Sequence, residues 1–201
     1  MNIINRILFG IEDKKEIKEL QPLLYNENYF ILFYSALVFV VLMFLPLVEL
    51  LFIQEIRSNV FLYLRSFIIC FAIFILTAVF AKKHPKMIVP LFYLLFIFSM
   101  EHSISLGVYS AHPNMIAVTF NILLFVMPML ITDYPWHSDI IIIVSVICFC
   151  FLAHLYKTPE AFGLDFVNSV NSAVLSIIIS TARQNKNFQN LKANSILKKQ
   201  R

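Results

Sequence analysis

Residues 161–201 read AFGLDFVNSVNSAVLSIIISTARQNKNFQNLKANSILKKQR, an apolar segment that runs directly into a basic tail. From residue 177 onward this stretch contains neither proline nor glycine, so nothing in it stops a helix. The sequence therefore predicts one helix that crosses a membrane over residues 161–182 and continues as a cytoplasmic linker over residues 183–201.

The composition of the whole chain also indicates a membrane protein. Sixty per cent of its 201 residues are hydrophobic, 14% are charged, and the mean hydropathy is +0.80. A soluble domain of this size cannot bury so much apolar surface. Only three glycines occur, which argues against a barrel with many tight turns. We therefore expect an all-α membrane protein, because a helix satisfies its own backbone hydrogen bonds in lipid.

Six segments have a length close to the roughly 20 apolar residues that a spanning helix needs. They cover residues 29–53, 60–81, 87–109, 114–132, 140–156 and 161–182. The connections between them are short, so neighbouring helices must run antiparallel. The sequence predicts a six-helix transmembrane domain over residues 29–182 that contacts the lipid bilayer.

Lysine and arginine fix the expected orientation. Thirteen of the sixteen basic residues fall in the N-terminal segment, in the 82–86 connection or in the tail. The positive-inside rule then places both termini in the cytoplasm, and a bacterial inner membrane is the expected location. Because these cations mark the ends of spans, the net charge of +4 does not predict a nucleic-acid partner.

The N-terminal segment, residues 1–28, does not have the pattern of a cleavable signal peptide. Its apolar residues recur at helical spacing between charged ones. This pattern predicts an amphipathic helix on the inner membrane face, and a docking surface for a cytoplasmic domain is the alternative.

Ionisable and amide side chains within the spans are the candidate functional residues, because charge in a membrane is costly. Six of them form the hypothetical ligand site: Arg65, Glu101, His102, Asn121, Asp165 and Asn168. In the predicted topology all six lie within about 15 Å of the outer boundary. Two readings remain open, a polar pocket that opens outward to a small ligand and a structural ion-pair network. Arg65 is expected to pair with Glu101 or Asp165, and Glu49 is a poorer candidate.

No catalytic, metal or cofactor site is predicted in this chain. The sequence contains no HExxH, GxSxG or phosphate-binding lysine motif. Cys148 and Cys150 have neither redox nor metal spacing.

The sixth span carries small polar residues at helical spacing: Asp165, Ser169, Ser172, Ser176 and Ser180. Such a stripe allows close helix packing, and it also suits a helix that shifts against its neighbours. Beyond the membrane, Phe188 and Leu191 form a weak coiled-coil seam. We assign signal transmission to Ser172, Ser176, Ser180, Phe188 and Leu191.

Six spans, cytoplasmic termini and a tail ending in LKKQR resemble the N-terminal sensory region of bacterial membrane diguanylate cyclases, the GGDEF family that makes cyclic di-GMP. The resemblance covers the architecture and residues 176–201, and it transfers no catalytic residue. It implies a homodimer with tails side by side and a C-terminal output domain outside this chain, so we expect the chain to be the membrane part of a longer protein. A histidine kinase or a class III nucleotidyl cyclase is an alternative output.

The sequence thus predicts the membrane input module of a bacterial signalling protein. A small transporter or channel-like protein is the first alternative, supported by the charges within the spans. A passive membrane anchor and dimerisation unit is the second.

Overall fold

The structure, a computed structural model, describes residues 14–49, 60–110 and 114–199. Within these ranges the chain is helical and contains no strand. The α-helices are α1 (Lys14–Glu49), α2 (Val60–Leu76), α3 (Ile88–Ser105), α4 (Val118–Leu130), α5 (Pro135–Tyr156) and α6 (Pro159–Lys199). One π-helical turn continues α2 over Thr77–Ala81, another continues α3 over Leu106–Ser110, and a 3-10 turn, Pro85–Met87, precedes α3.

Five helical stretches are long and apolar enough to cross a membrane. They are Leu20–Glu49, Val60–Ala81, Pro85–Tyr109, Pro135–Tyr156 and Pro159–Ile196. Many large apolar side chains face outward from the bundle, including Phe61, Ile147 and Phe151. Lipid is the solvent that suits such a surface. The expected all-α, multi-pass membrane fold is therefore confirmed.

The predicted fourth span is shorter than expected. Helix α4 has 13 residues, because residues 114–117 are not helical and Ile131 is already extended. At 1.5 Å per residue it is about 20 Å long, less than the roughly 30 Å of a hydrocarbon core. Six full spans thus remain a prediction, although α4 is apolar and lies within the bundle.

The helices run alternately up and down, and α3 is the central one. It packs against α1, α2, α4 and α5, while α1 also packs on α2, and α6 packs on α4 and α5. Over half of the apolar window of α3 is buried, compared with 17–28% for the other four long helices. We call the end where α1 begins and α6 finishes the tail end, and the end where α4 and α6 begin the far end.

The described part of the N-terminal segment, residues 14–28, does not form a helix of its own. It is the first part of α1, which continues through Pro22 into the first span. The apolar side chains of Leu20 and Leu24 pack against Phe188 and Leu191 of α6. We call these four residues the tail cluster. Residues 1–13 lie outside the described ranges.

The tail cluster also changes the interpretation of Phe188 and Leu191. Both side chains are buried within one chain, at 7% and 5% exposure, whereas the sequence predicted that they face a second copy. The reason is that α1 lies beside α6 beyond the bundle and offers its own apolar stripe.

Helix α6 is continuous from the far end to the tail, as predicted, over 41 residues. One face of it is buried along most of this length. The buried residues at steps of three and four are Asp165, Ser169, Ala173, Ser176, Ser180, Gln184, Phe188 and Leu191. Ser172, which the sequence placed in the stripe, is half-buried at the edge of this face and not at its centre. Ala173 takes that position, because it lies one helical turn after Ser169.

The alternation of the helices gives a direct test of orientation. Lys83, at the tail end, and Asn114, at the far end, are both exposed. Single cysteines at these positions, in a background without Cys70, Cys148 and Cys150, should react differently with an impermeant thiol reagent on intact cells. Position 114 should be labelled, and position 83 only after the membranes are opened. Labelling of position 83 on intact cells would invert the orientation.

Candidate functional site at the far end of the bundle

The most buried charges of the described chain form an ion pair at the far end. The Nζ atom of Lys157 lies 2.5 Å from Oδ2 of Asp165, and the two side chains are 1% and 0% exposed. Nζ also donates a hydrogen bond to the carbonyl oxygen of Met115 at 2.8 Å. The other carboxylate oxygen, Oδ1, accepts from the backbone N–H of Ala117 at 2.9 Å. The pair therefore ties the segment before α4 to α5 and α6.

Local structure explains why these groups meet. Lys157 follows the last residue of α5 with an extended backbone, and α6 begins two residues later at Pro159. Asp165 is thus two turns into α6, within reach of the long lysine side chain. Ala117 precedes α4 and provides no side-chain cap. The carboxylate of Asp165 supplies the missing acceptor for a backbone N–H at this helix start.

The chain approaches itself closely at this site. A Cβ atom added to Gly107, in the π-helical turn after α3, would lie 2.8 Å from the Cβ of Ala117. Real Cβ atoms do not come so close. Glycine at position 107 therefore lets the end of α3 pack against the start of α4, which positions the N–H that Asp165 binds.

Below the ion pair, polar side chains join α4 to α6. Ser169 donates to Oδ1 of Asn121 at 3.2 Å, and Nδ2 of Asn121 donates to the carbonyl of Ala117 at 3.1 Å. About two turns further along α6, Ser176 donates to the carbonyl of Leu124 at 2.9 Å. These contacts use the stripe of small polar residues that the sequence predicted.

The contact between Ser176 and Leu124 has a specific cause. In an α-helix the carbonyl of residue 124 accepts from the N–H of residue 128. Residue 128 is a proline inside α4, which has no N–H and pushes that carbonyl aside. The Ser176 hydroxyl replaces the missing donor, as serine side chains do for proline-interrupted helices in membranes.

Arg65 and Glu101 form a second, separate contact between α2 and α3. The Nη2 atom of Arg65 lies 2.6 Å and 2.7 Å from the two carboxylate oxygens of Glu101, which confirms one of the two expected pairings. Asp165, the other expected partner, binds Lys157 instead. The side chains of Arg65 and Glu101 are 48% and 43% exposed, so this pair lies on the bundle surface.

His102 is next to this pair in sequence but points into the interface of α2 and α3. Its Nδ1 atom lies 2.7 Å from the hydroxyl of Ser66, and the ring of Tyr63 packs edge-on at 5.7 Å. Among the described residues no atom pairs with its buried Nε2. His102 therefore contributes to helix packing beside the ion pair and not to a shared ligand pocket with Asp165.

The six residues of the hypothetical ligand site are thus divided. Arg65, Glu101 and His102 lie between α2 and α3, and Asn121 and Asp165 lie between α4 and α6. Asn168 is exposed on α6. Both carboxylate oxygens of Asp165 have a partner, which supports the interpretation of these charges as a structural ion-pair network. The described residues include no group of histidine, cysteine and acidic side chains that could hold a metal ion.

Lys157 is the site residue that sequence reasoning missed, because it was assigned to an outer loop. The short connection between α5 and α6 could have indicated the role of Lys157. Only Thr158 separates Lys157 from the start of α6, so its side chain necessarily reaches the first two turns of that helix. Asp165 is the acidic residue on the buried face of those turns.

Breaking the buried pair should destabilise the fold. Lys157→Met or Asp165→Asn leaves one charge buried without its partner, so each should lower the free energy of unfolding by about 3–5 kcal/mol. The double variant K157M/D165N should recover most of this loss, since both charges are gone and Asn can still accept from Ala117. Denaturant titration in detergent measures the effect. Glu160→Gln, an exposed acid on the same helix, is the control and should change stability by less than about 0.5 kcal/mol. Additive effects of the two single changes would contradict the pairing.

Comparisons with known proteins do not identify a family. No protein-family model, no curated protein and no solved structure matches this chain. The function must therefore be argued from the geometry of the bundle and its last helix.

Proposed function

We propose that the chain is the membrane input module of a bacterial signalling protein, with α6 as the element that transmits the signal. One observation carries this proposal. A single helix of 41 residues contributes Asp165 to the buried ion pair at the far end, packs through the bundle and contributes Phe188 and Leu191 to the tail cluster. A change at one end of such a helix is felt at the other, because no break in it absorbs the movement.

The contacts of α6 suit a small displacement. Its buried face within the bundle consists of small side chains, among them Ser169, Ala173, Ser176 and Ser180. Small residues permit helices to slide or rotate without large steric barriers, and serine hydroxyls can exchange one carbonyl for another. Shifts of about 1–2 Å are typical of helices that transmit signals.

The tail cluster provides a second state. With Phe188 and Leu191 packed on α1, their apolar faces are not available to a second chain. In our proposal, displacement of α6 releases both side chains from Leu20 and Leu24, and the freed residues pair between the tails of two copies. The homodimer predicted from the sequence is then the signalling state, and the bundle with a closed tail cluster is the resting state.

The remaining parts of the proposal come from the sequence. The positive-inside rule supports cytoplasmic termini in a bacterial inner membrane. The resemblance of the tail supports a diguanylate cyclase of the GGDEF type as the output domain. The transporter alternative loses part of its support, because Arg65 and Asp165, two of the charges within the spans that favoured it, each have a partner within the chain.

The distance between α1 and α6 at the tail end of one chain tests whether a signal is transmitted along α6. Nitroxide labels at Gln21 and Gln189, both exposed at the tail end, report the separation of α1 and α6 by pulsed electron paramagnetic resonance. The double variant K157M/D165N removes the ion pair at the far end of α6, so it should shift the distance distribution by about 1–2 Å or broaden it.

The matched control is R65M/E101Q, which removes the ion pair between α2 and α3 and does not touch α6. It should leave the label distances unchanged. Unchanged distances in both double variants would show that the far end and the tail are independent, as expected of a passive membrane anchor. An equal shift in both would indicate general loosening of the bundle and would also contradict transmission through α6.

A further inference from the structure

A cavity of about 410 Å³ opens at the tail end between α1 and α6. Helix α1 contributes Glu27 and Phe30 to its lining, and α6 contributes Arg183 and Asn187. Thr132, in the connection between α4 and α5, closes one side. The volume lies within the range of sites that bind small ligands.

Hydrogen bonds hold the walls of this cavity in place. Asn28 of α1 donates to the carbonyl of Thr132 at 2.9 Å and accepts from its N–H at 3.1 Å. Asn187 of α6 donates to the hydroxyl of the same threonine at 3.0 Å. The cavity is therefore framed by three segments that are joined to one another.

Two opposite charges line the cavity without neutralising each other. Neither Glu27 nor Arg183 forms an ion pair within the described part of the chain. The carboxamides of Asn26 and Asn190, which also line it, can both donate and accept hydrogen bonds. A ligand that carries a positive and a negative group can bridge the gap and satisfy both charges.

The cavity lies at the level where the apolar spans end. Asn26 and Glu27 precede the first span predicted from the sequence, which begins at residue 29, and Arg183 follows the last predicted span, which ends at residue 182. Below these polar groups the lining consists of Phe30 and Ile31, and half of the Phe30 side chain faces outward. The site thus combines a charged upper part at headgroup level with an apolar lower part open to lipid.

We propose that this cavity binds a zwitterionic phospholipid with a primary ammonium group, of the phosphatidylethanolamine type. The phosphate binds Arg183, whose guanidinium suits its oxygens. The ammonium donates to the carboxylate of Glu27, and an acyl chain lies against Phe30 and Ile31. A choline head group fits less well, because its quaternary nitrogen has no N–H to donate.

The bound lipid would join α1 to α6 one turn before the tail cluster. Its head group contacts both helices at the level of Arg183, and Phe188 follows five residues later. Occupancy of the site therefore favours the state in which the tail cluster is closed. Binding itself does not depend on the proposed signalling function.

Native mass spectrometry of the full chain, titrated with lipids of identical acyl chains, tests the proposal. Phosphatidylethanolamine should bind about tenfold more tightly than phosphatidylcholine, the effect of one hydrogen bond to a charged group. Successive N-methylation of the head group should weaken binding in steps. Glu27→Gln should remove the preference for ethanolamine over choline, and Arg183→Gln should weaken binding of both lipids.

Two exposed residues outside the cavity serve as controls. Lys186→Gln on the tail removes a positive charge, as Arg183→Gln does, and Glu160→Gln at the far end removes a negative charge, as Glu27→Gln does. Both control variants should keep the preference for ethanolamine over choline lipids. Equal binding of ethanolamine and choline lipids by the unaltered chain would overturn the proposal, as would a preference for phosphatidylglycerol. Displacement of the lipid by equimolar glycerophosphoethanolamine would instead indicate a site for a soluble zwitterion, because Phe30 and Ile31 would then contribute nothing.

Discussion

Lipid offers no hydrogen bonds, so polar side chains on the buried face of α6 need partners within the protein, and three of them find partners outside α6. Ser180 instead donates to the carbonyl of Ile177 in α6 itself. Asp165 accepts hydrogen bonds from Lys157 and from the N–H of Ala117, and Ser169 donates to Asn121. Ser176 donates to the carbonyl of Leu124, which lacks its usual helical donor because residue 128 of α4 is a proline. These contacts define the rotation of α6 and its position along α4 in the state that the structure describes, and a displacement of α6 would break them or exchange their partners. The apolar side chains around them fill space but select no single register.

The buried ion pair and the tail cluster stabilise α6 in different ways. A buried pair contributes little net energy compared with apolar residues of the same size, but removing one partner is costly. It therefore specifies an arrangement more than it stabilises the fold. The tail cluster has four apolar residues outside the bundle, a small core that can open without unfolding the rest. A helix with a specific contact at one end and a weak one at the other is suited to change its tail contacts in response to events at the far end.

Much of the fold could be predicted because membrane helices are encoded locally. Long apolar runs gave the spans, the absence of a breaker gave the continuous α6, and helical periodicity gave the stripe on that helix. The pairing of Arg65 with Glu101 also followed, since an arginine in a span requires an acidic partner. The length of α4 was not predicted, because its ends depend on the backbone around Ala117 and Ile131 and not on hydropathy.

The missed contacts join residues that are distant in sequence or lie beyond the membrane. Leu20 and Leu24 of α1 meet Phe188 and Leu191 of α6 across more than 160 residues, and no local pattern specifies that encounter. Each segment has apolar residues at helical spacing, and the sequence alone predicted a different surface for each of them to pack on. That surface was the membrane for the start of α1 and a second chain for the end of α6. Ser172 shows how precisely a buried face can be predicted from spacing. After Ser169 the face can continue three residues later at Ser172 or four residues later at Ala173, and only the packing of the helices selects Ala173.

Hydrogen exchange in Ser176→Ala, compared with Ser172→Ala, tests most directly whether the buried polar face of α6 holds the helix in place. Both changes remove one hydroxyl from the same helix, but only Ser176 bonds the carbonyl freed by Pro128. Loss of that donor costs about 1–2 kcal/mol, so amide exchange in α4 and in residues 184–191 should rise roughly tenfold. Ser172→Ala should leave exchange unchanged. Equal exchange in the two variants would contradict the account, because the serine contacts of α6 would then have no part in positioning it.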